Sequence, residues 1–216
     1  MTSIPALMKR ERLMIIARGI PVPVLVQAAS ACADAGIVLL ESTFDHTLPD
    51  PIQDNTEKLR ALVRALGGRI RFGAGTVLTV QEVQAAADAG AEYIVCPHTD
   101  EAVIAEAKRL GLAVVPGALT PTEIVRAYNL GADLVKLFPA DALGPQYIKS
   151  LQPPLGHIPL LAACGMTART IPDYLRAGIT VAAVGTSILQ KELLAREDYG
   201  GIAAAAREHL AAVRSV

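Results

Sequence analysis

Asp133-Leu-Val-Lys-Leu-Phe-Pro-Ala140 reads as a short buried strand with a lysine at its centre. Alternation with period two puts Leu134, Lys136 and Phe138 on one face and Val135 and Leu137 on the other. An ammonium set among aliphatic side chains loses solvation and needs either a partner or a task. Desolvation favours the neutral amine, which can attack a ketone and form a Schiff base. The plain alternative is a lysine at a strand end that snorkels to water or makes a structural ion pair.

Working outward from this stretch, similar short apolar runs recur along the chain. They lie at Leu13–Ala17, Ile37–Ser42, Ile70–Gly73, Tyr93–Cys96, Ala113–Pro116, Leu134–Leu137, Ile158–Ala162 and Val181–Val184. Helical patterns alternate with them near Pro23–Ala35, Ile52–Leu66, Thr79–Ala89, Asp100–Leu110, Thr122–Leu130, Pro145–Leu151, Thr170–Ala177, Ser187–Leu194 and Ile202–Val213. Thr79 reads as an N-cap ahead of Glu82, and Thr120-Pro-Thr-Glu123 has the form of a capping box with proline in the first turn. Ala89-Gly90 and Ala177-Gly178 end helices at a glycine. Eight βα units without a linker or a break in composition predict a single (β/α)8 TIM barrel over residues 1–216. An open doubly wound sheet is the runner-up, and it needs fewer strands at this length.

Composition narrows the function classes. The chain is 52% hydrophobic and 19% charged, which suits a folded protein with a large core. A net charge of -1, 4% aromatics and no tryptophan give no footprint for nucleic acid or an anionic membrane. The run Leu13 to Val26 is interrupted by Arg18, Pro21 and Pro23, so it does not read as a membrane span. Cys32, Cys96 and Cys164 are odd in number with no CxxC, which fits free thiols and a cytoplasmic location.

Barrels carry their chemistry at the C-terminal ends of their strands. In this chain those ends hold Arg18-Gly-Ile, Glu41-Ser-Thr-Phe-Asp-His-Thr47, Gly73-Ala-Gly-Thr76, Cys96-Pro-His-Thr-Asp100, Pro116-Gly-Ala-Leu-Thr120, Lys136-Leu-Phe-Pro139, Ala163-Cys-Gly-Met166 and Gly185-Thr-Ser187. Glu41 shares the face of Leu39, so it points into the barrel as Lys136 does. The pair reads either as a structural ion pair or as a Schiff-base lysine beside a proton-shuttling carboxylate. Gly73-Ala-Gly-Thr76 offers amides and a hydroxyl to an anion, and Gly185-Thr-Ser187, opening a helix, is a phosphate position; ordinary tight turns are the plain reading of both. Arg18 is a candidate carboxylate clamp or a surface ion pair. Asp45, His46, His98 and Asp100 do not share a spacing that presents two histidines to one ion, so no metal is expected. Cys164 has no adjacent helper and reads as a packed thiol.

Gly73-Ala-Gly-Thr-Val-Leu78, Val95-Cys-Pro-His98, Pro116-Gly-Ala-Leu-Thr-Pro-Thr-Glu123 and Val135-Lys-Leu-Phe-Pro-Ala140 occur in that order. Together they resemble the 2-keto-3-deoxy-6-phosphogluconate / 4-hydroxy-2-oxoglutarate aldolase family of class I pyruvate aldolases, over nearly the whole chain. Gly144-Pro-Gln-Tyr-Ile-Lys149 is similar to the members that cleave the 6-phosphogalactonate substrate. The resemblance implies that Lys136 forms the Schiff base and that Glu41 is the general acid/base. It implies that Thr76 and an arginine hold the pyruvate carboxylate. Some members carry that arginine where this chain has Asp45; in others it ends strand one, matching Arg18. Phe138 would pack beside the lysine and Pro97 would line the pocket, with Gly117, Gly165, Gly185 and Ser187 as further substrate contacts. Members of the family are typically homotrimers and need no metal or organic cofactor.

One departure stands out. Where the family reads proline-threonine-glycine-glycine after strand seven, this chain reads Ala162-Ala-Cys-Gly165. Ala163 lacks the hydroxyl, and Cys164 replaces a glycine whose bare backbone admits a phosphate. The expected activity is aldol cleavage of a 2-keto-3-deoxy-6-phospho sugar acid, or of 4-hydroxy-2-oxoglutarate, to pyruvate and an aldehyde. An unphosphorylated or epimeric substrate is the alternative within the chemistry. A phosphate-barrel isomerase and a non-catalytic sugar-acid-binding barrel are the alternatives outside it.

Overall fold

The computed structural model describes residues 2–216. Helix α1 (Ile4–Glu11) leads into β1 (Leu13–Ala17), α2 (Val22–Ala35), β2 (Leu39–Thr43), α3 (Pro51–Leu66), β3 (Arg71–Gly75), α4 (Val80–Asp88), β4 (Tyr93–Val95) and α5 (Glu101–Arg109). There follow β5 (Ala113–Val115), β6 (Gly117–Ala118), α6 (Pro121–Asn129), β7 (Val135–Leu137), α7 (Gly144–Leu155), β8 (Leu160–Ala163), α8 (Ile171–Ala177), β9 (Val181–Val184), α9 (Lys191–Ala195) and α10 (Tyr199–Arg214). The strands form one parallel sheet in the order β5-β4-β3-β2-β1-β9-β8-β7-β6.

The formal edges, β5 and β6, are two halves of one strand separated only by Pro116. Proline has no N–H to give the ladder, so the strand breaks there. Its carbonyl still accepts from Lys136 N at 2.8 Å, which ties the break to β7. Gly117 sits where a Cβ would fall 2.3 Å from the carbonyl carbon and oxygen of Pro97, so only glycine lets the two turns pass. The expected eight-stranded barrel is therefore present, with its fifth strand split and the ring closing through the split.

Period-two alternation divides the core as read from sequence. Val135, Leu137 and Leu40 face the helices, whereas Leu134 and Leu39 fill the barrel interior with Met14, Tyr93, Val115, Leu161 and Val181. Residues 4–11 carry no expected element, yet they form α1, whose Ile4, Leu7 and Met8 join the interior cluster. This helix closes the N-terminal end of the barrel, which leaves the opposite rim as the way in. The expected capping box of Thr120 with Glu123 forms, and Thr79, expected as an N-cap, makes a second full box with Glu82. The segment Ser187–Leu194 is corrected: Gly185–Leu189 is a tight turn in which Ile188 N and Leu189 N both donate to Gly185 O, and helix begins only at Lys191.

Candidate active site

The C-terminal rim opens into a pocket of about 360 Å³ lined by Arg18, Glu41, Lys136, Phe138, Gly165, Gly185 and Ser187. Seven of the residues singled out in the sequence thus meet on one surface.

Lys136 lies mid-strand in β7 and is 6% exposed. Its Nζ stands 4.9 Å from the centre of the Phe138 ring, two residues on along the same face, a cation–π contact that partly replaces lost solvent. Glu41, in the middle of β2, is 1% exposed, and its Oε2 has no hydrogen-bond partner. Burial pushes its carboxyl up to about 7, while the positive charges of Lys136 and Arg18 pull the other way. A carboxyl titrating near neutrality can both take and return a proton.

The neighbouring strand makes room for this carboxylate. Glu41 is in register with Gly73, and Gly73 with Tyr93. A Cβ on Gly73 would sit 2.2 Å from the Tyr93 ring, and one on Gly75 would sit 2.5 Å from Glu41 Oε1. The two glycines of Gly73-Ala-Gly-Thr76 thus serve the side chains beside them, a use that the anion-binding reading of the motif did not foresee. Thr76 ends the strand with φ 57, a left-handed conformation rarely taken by a β-branched residue. Its Oγ1 accepts from Arg18 Nη2 at 2.8 Å, so Arg18 and Thr76 form one unit at the rim.

Other expected contacts are placed elsewhere. Pro97 and Gly117 abut each other at the split strand and are not among the pocket-lining residues. Asp45 accepts from the Thr47 N–H and hydroxyl, which hold its carboxyl below the usual range. His46 Nε2 lies 2.7 Å from Oε1 of Glu82, whose Oε2 accepts from Leu78 N and Thr79 N at the start of α4. Both residues therefore hold the β2–α3 turn. Among the described residues, no three His, Cys, Asp or Glu side chains converge as metal ligands would. No helix among them is long and apolar enough to cross a membrane.

At the β8 end, Cys164 adopts φ 77, a left-handed backbone that favours glycine. Its thiol is exposed in the pocket, and desolvation, then Asp141, raise its pKa against the pull of Lys136 and Arg18. A thiol held protonated is a poor nucleophile. Lys191 and Met166 also line the pocket and were not singled out in the sequence. Lys191 carries no local signal, because it resembles any lysine in the first turn of a short helix.

A family model described as "KDPG and KHG aldolase" matches residues 4–205. The 2-dehydro-3-deoxy-6-phosphogalactonate aldolase of Escherichia coli K12 is 34% identical over 177 residues, covering 82% of this chain and 83% of the relative. The 2-dehydro-3-deoxy-phosphogluconate aldolase of Treponema pallidum is 30% identical over 186 residues, covering 86% and 85%. A solved structure described as native KDPGal superposes with a TM-score of 0.84 at 32% identity, covering 94% of each chain.

Proposed function

The chain belongs to the KDPG and KHG aldolase family of carbon–carbon lyases, and from that premise we propose that it cleaves a 2-keto-3-deoxy-6-phospho sugar acid to pyruvate and glyceraldehyde 3-phosphate through a Schiff base on Lys136. The observation that carries this reading is that Lys136 and Glu41 are both buried and line one pocket with Arg18.

The neutral amine of Lys136 attacks the C2 ketone, and the carbinolamine loses water to give an iminium. Glu41, as carboxylate, takes the proton of the C4 hydroxyl while the C3–C4 bond breaks and its electron pair moves into the iminium. The aldehyde leaves, and the resulting enamine takes a proton at C3 from the Glu41 carboxyl. Water then hydrolyses the pyruvate iminium and frees Lys136. The Arg18–Thr76 unit suits the pyruvate carboxylate, because a guanidinium pairs with that group by charge-assisted bonds. Phe138 packs against the lysine, and the β8 and β9 turns with Gly165, Gly185 and Ser187 face the far end of the substrate. The assembly expected with this reading is a homotrimer.

A second reading of the substrate is favoured by Ala163 and Cys164, which take hydroxyl and bare backbone from the β8 turn. It assigns an unphosphorylated or epimeric 2-keto-3-deoxy acid, or 4-hydroxy-2-oxoglutarate. Incubation with pyruvate, borohydride reduction and intact mass measurement test the mechanism. A covalent adduct that maps to Lys136 is expected, and its absence under saturating pyruvate refutes the Schiff base. Steady-state comparison of phosphorylated gluconate-derived, phosphorylated galactonate-derived and unphosphorylated substrates then separates the two readings.

A further inference from the structure

His209 has no part in the chemistry above, yet it is a histidine 3% exposed on α10. Its Nδ1 lies 2.8 Å from Ala205 O, one turn earlier in the same helix. A carbonyl only accepts, so Nδ1 carries a hydrogen; the single hydroxyl hydrogen of Ser187 goes to the Met166 carbonyl, so the bond between Ser187 and the ring is donated by Nε2–H. That nitrogen faces Ser187 Oγ at 3.0 Å, and Ser187 Oγ is also 3.0 Å from Met166 O. Ser187 follows β9 and Met166 follows β8, so one hydroxyl fastens together the two turns at the far end of the pocket. His209 stands behind the hydroxyl as its only side-chain partner among the described bonds. Ser187 itself, Gly165, Gly185 and Lys191 line the pocket there.

We propose that His209 is a positioning residue for substrates that end in a phosphate. The buried ring holds Ser187 against the Met166 carbonyl, and thereby fixes the turn through which Gly185, Ser187 and Lys191 meet the terminal anion. The inference deepens the phosphorylated-substrate reading and rests on it. With the hydroxyl tied to Met166 and His209, the turn that it anchors is already in place when the anion arrives, so less ordering is left to be done on binding. The ring takes its place from α10, more than twenty residues further along the chain from Ser187.

The test is a double-mutant cycle with glycerol 3-phosphate as the binding probe, followed by calorimetry. His209→Leu is expected to weaken binding about tenfold, the loss of one well-placed hydrogen bond. His209→Gln, whose amide can reach Ser187, is expected to stay within about twofold of the parent. In a Ser187→Ala background, His209→Leu should cost nothing further, because its effect runs through the hydroxyl. In steady state, His209→Leu should raise KM for the phosphorylated substrate and leave kcat within about twofold. Additive losses, a Gln variant as weak as the Leu variant, or no binding of the probe by the parent overturn the proposal. Should His209→Leu not fold, His209→Asn, too short to reach Ser187, takes its place in the cycle. The pyruvate adduct on Lys136 of the parent needs no phosphate, so its failure is distinct from a failure here.

Discussion

Arg18 Nη2 donates to Thr76 Oγ1 across 2.8 Å, joining the ends of β1 and β3 on either side of the strand that carries Glu41. The link fixes the guanidinium in place beside the carboxylate it influences. Thr76→Val keeps the shape and removes the hydroxyl, so Arg18 is no longer held. KM for the 2-keto acid is expected to rise about tenfold with a smaller change in kcat, and Arg18→Met is expected to cost about 10–100-fold, since bonds to charged groups are worth about 1.5–3 kcal/mol. An unchanged KM in both variants refutes the carboxylate role.

Glu41 is expected to give the reaction its pH dependence. Its carboxyl is raised to about 7, so the base form is scarce below that pH and dominant above it. Accordingly, kcat/KM should climb with pH through about 7 and then level, until another group intervenes. Glu41→Gln should slow turnover by about 10²–10⁴ and abolish that limb. A wild-type profile that is flat from pH 5.5 to 8 contradicts the assignment.

Gly75 leaves the room that the Glu41 carboxylate occupies. Alanine there would bring a methyl group within 2.5 Å of Oε1 and 3.0 Å of Thr43 Cγ2. Gly75→Ala should leave the circular dichroism spectrum of the barrel intact yet lower kcat about 100-fold, the scale of a misplacement near 1 Å. Near-normal kcat in a folded Gly75→Ala variant contradicts this.

Gly73 makes the corresponding room for packing. Its added methyl would meet the ring of fully buried Tyr93 at 2.2 Å, and the ring has no free volume into which to move. Gly73→Ala should destabilise by about 1–3 kcal/mol, read as a fall in urea midpoint.

Cys164 holds a left-handed backbone, with φ 77, at the β8 turn. Cys164→Gly relieves a conformational cost of roughly 1–2 kcal/mol but adds freedom to the unfolded chain. A net gain of up to about 1 kcal/mol is expected, or about 2–4 °C in Tm. The same change opens the turn, so KM for phosphorylated substrates should fall; a rise shows that the cysteine itself contributes a contact.

Much of this was determined by the sequence alone, because the signals are local. Period-two alternation sent Lys136 and Glu41 into the barrel and Val135 and Leu40 toward the helices, since neighbouring side chains on a strand must take opposite faces. Capping residues set the starts of α4 and α6 by bonds spanning three residues. Only the tertiary structure decided what those side chains meet. Residues 4–11 have a proline in the first turn and Ile4, Leu7 and Met8 at helical spacing, but only the fold shows that this helix covers the end of the barrel. Pro116 breaks the fifth strand by its missing N–H, but only the fold shows that one half pairs with β4 and the other with β7. Arg18 finds Thr76, and Ser187 finds His209, through strand register and helix docking. Those contacts arise from burial summed over the whole chain, so alternation could aim Lys136 and Glu41 inward but could not say that Arg18 would stand beside them, held by Thr76.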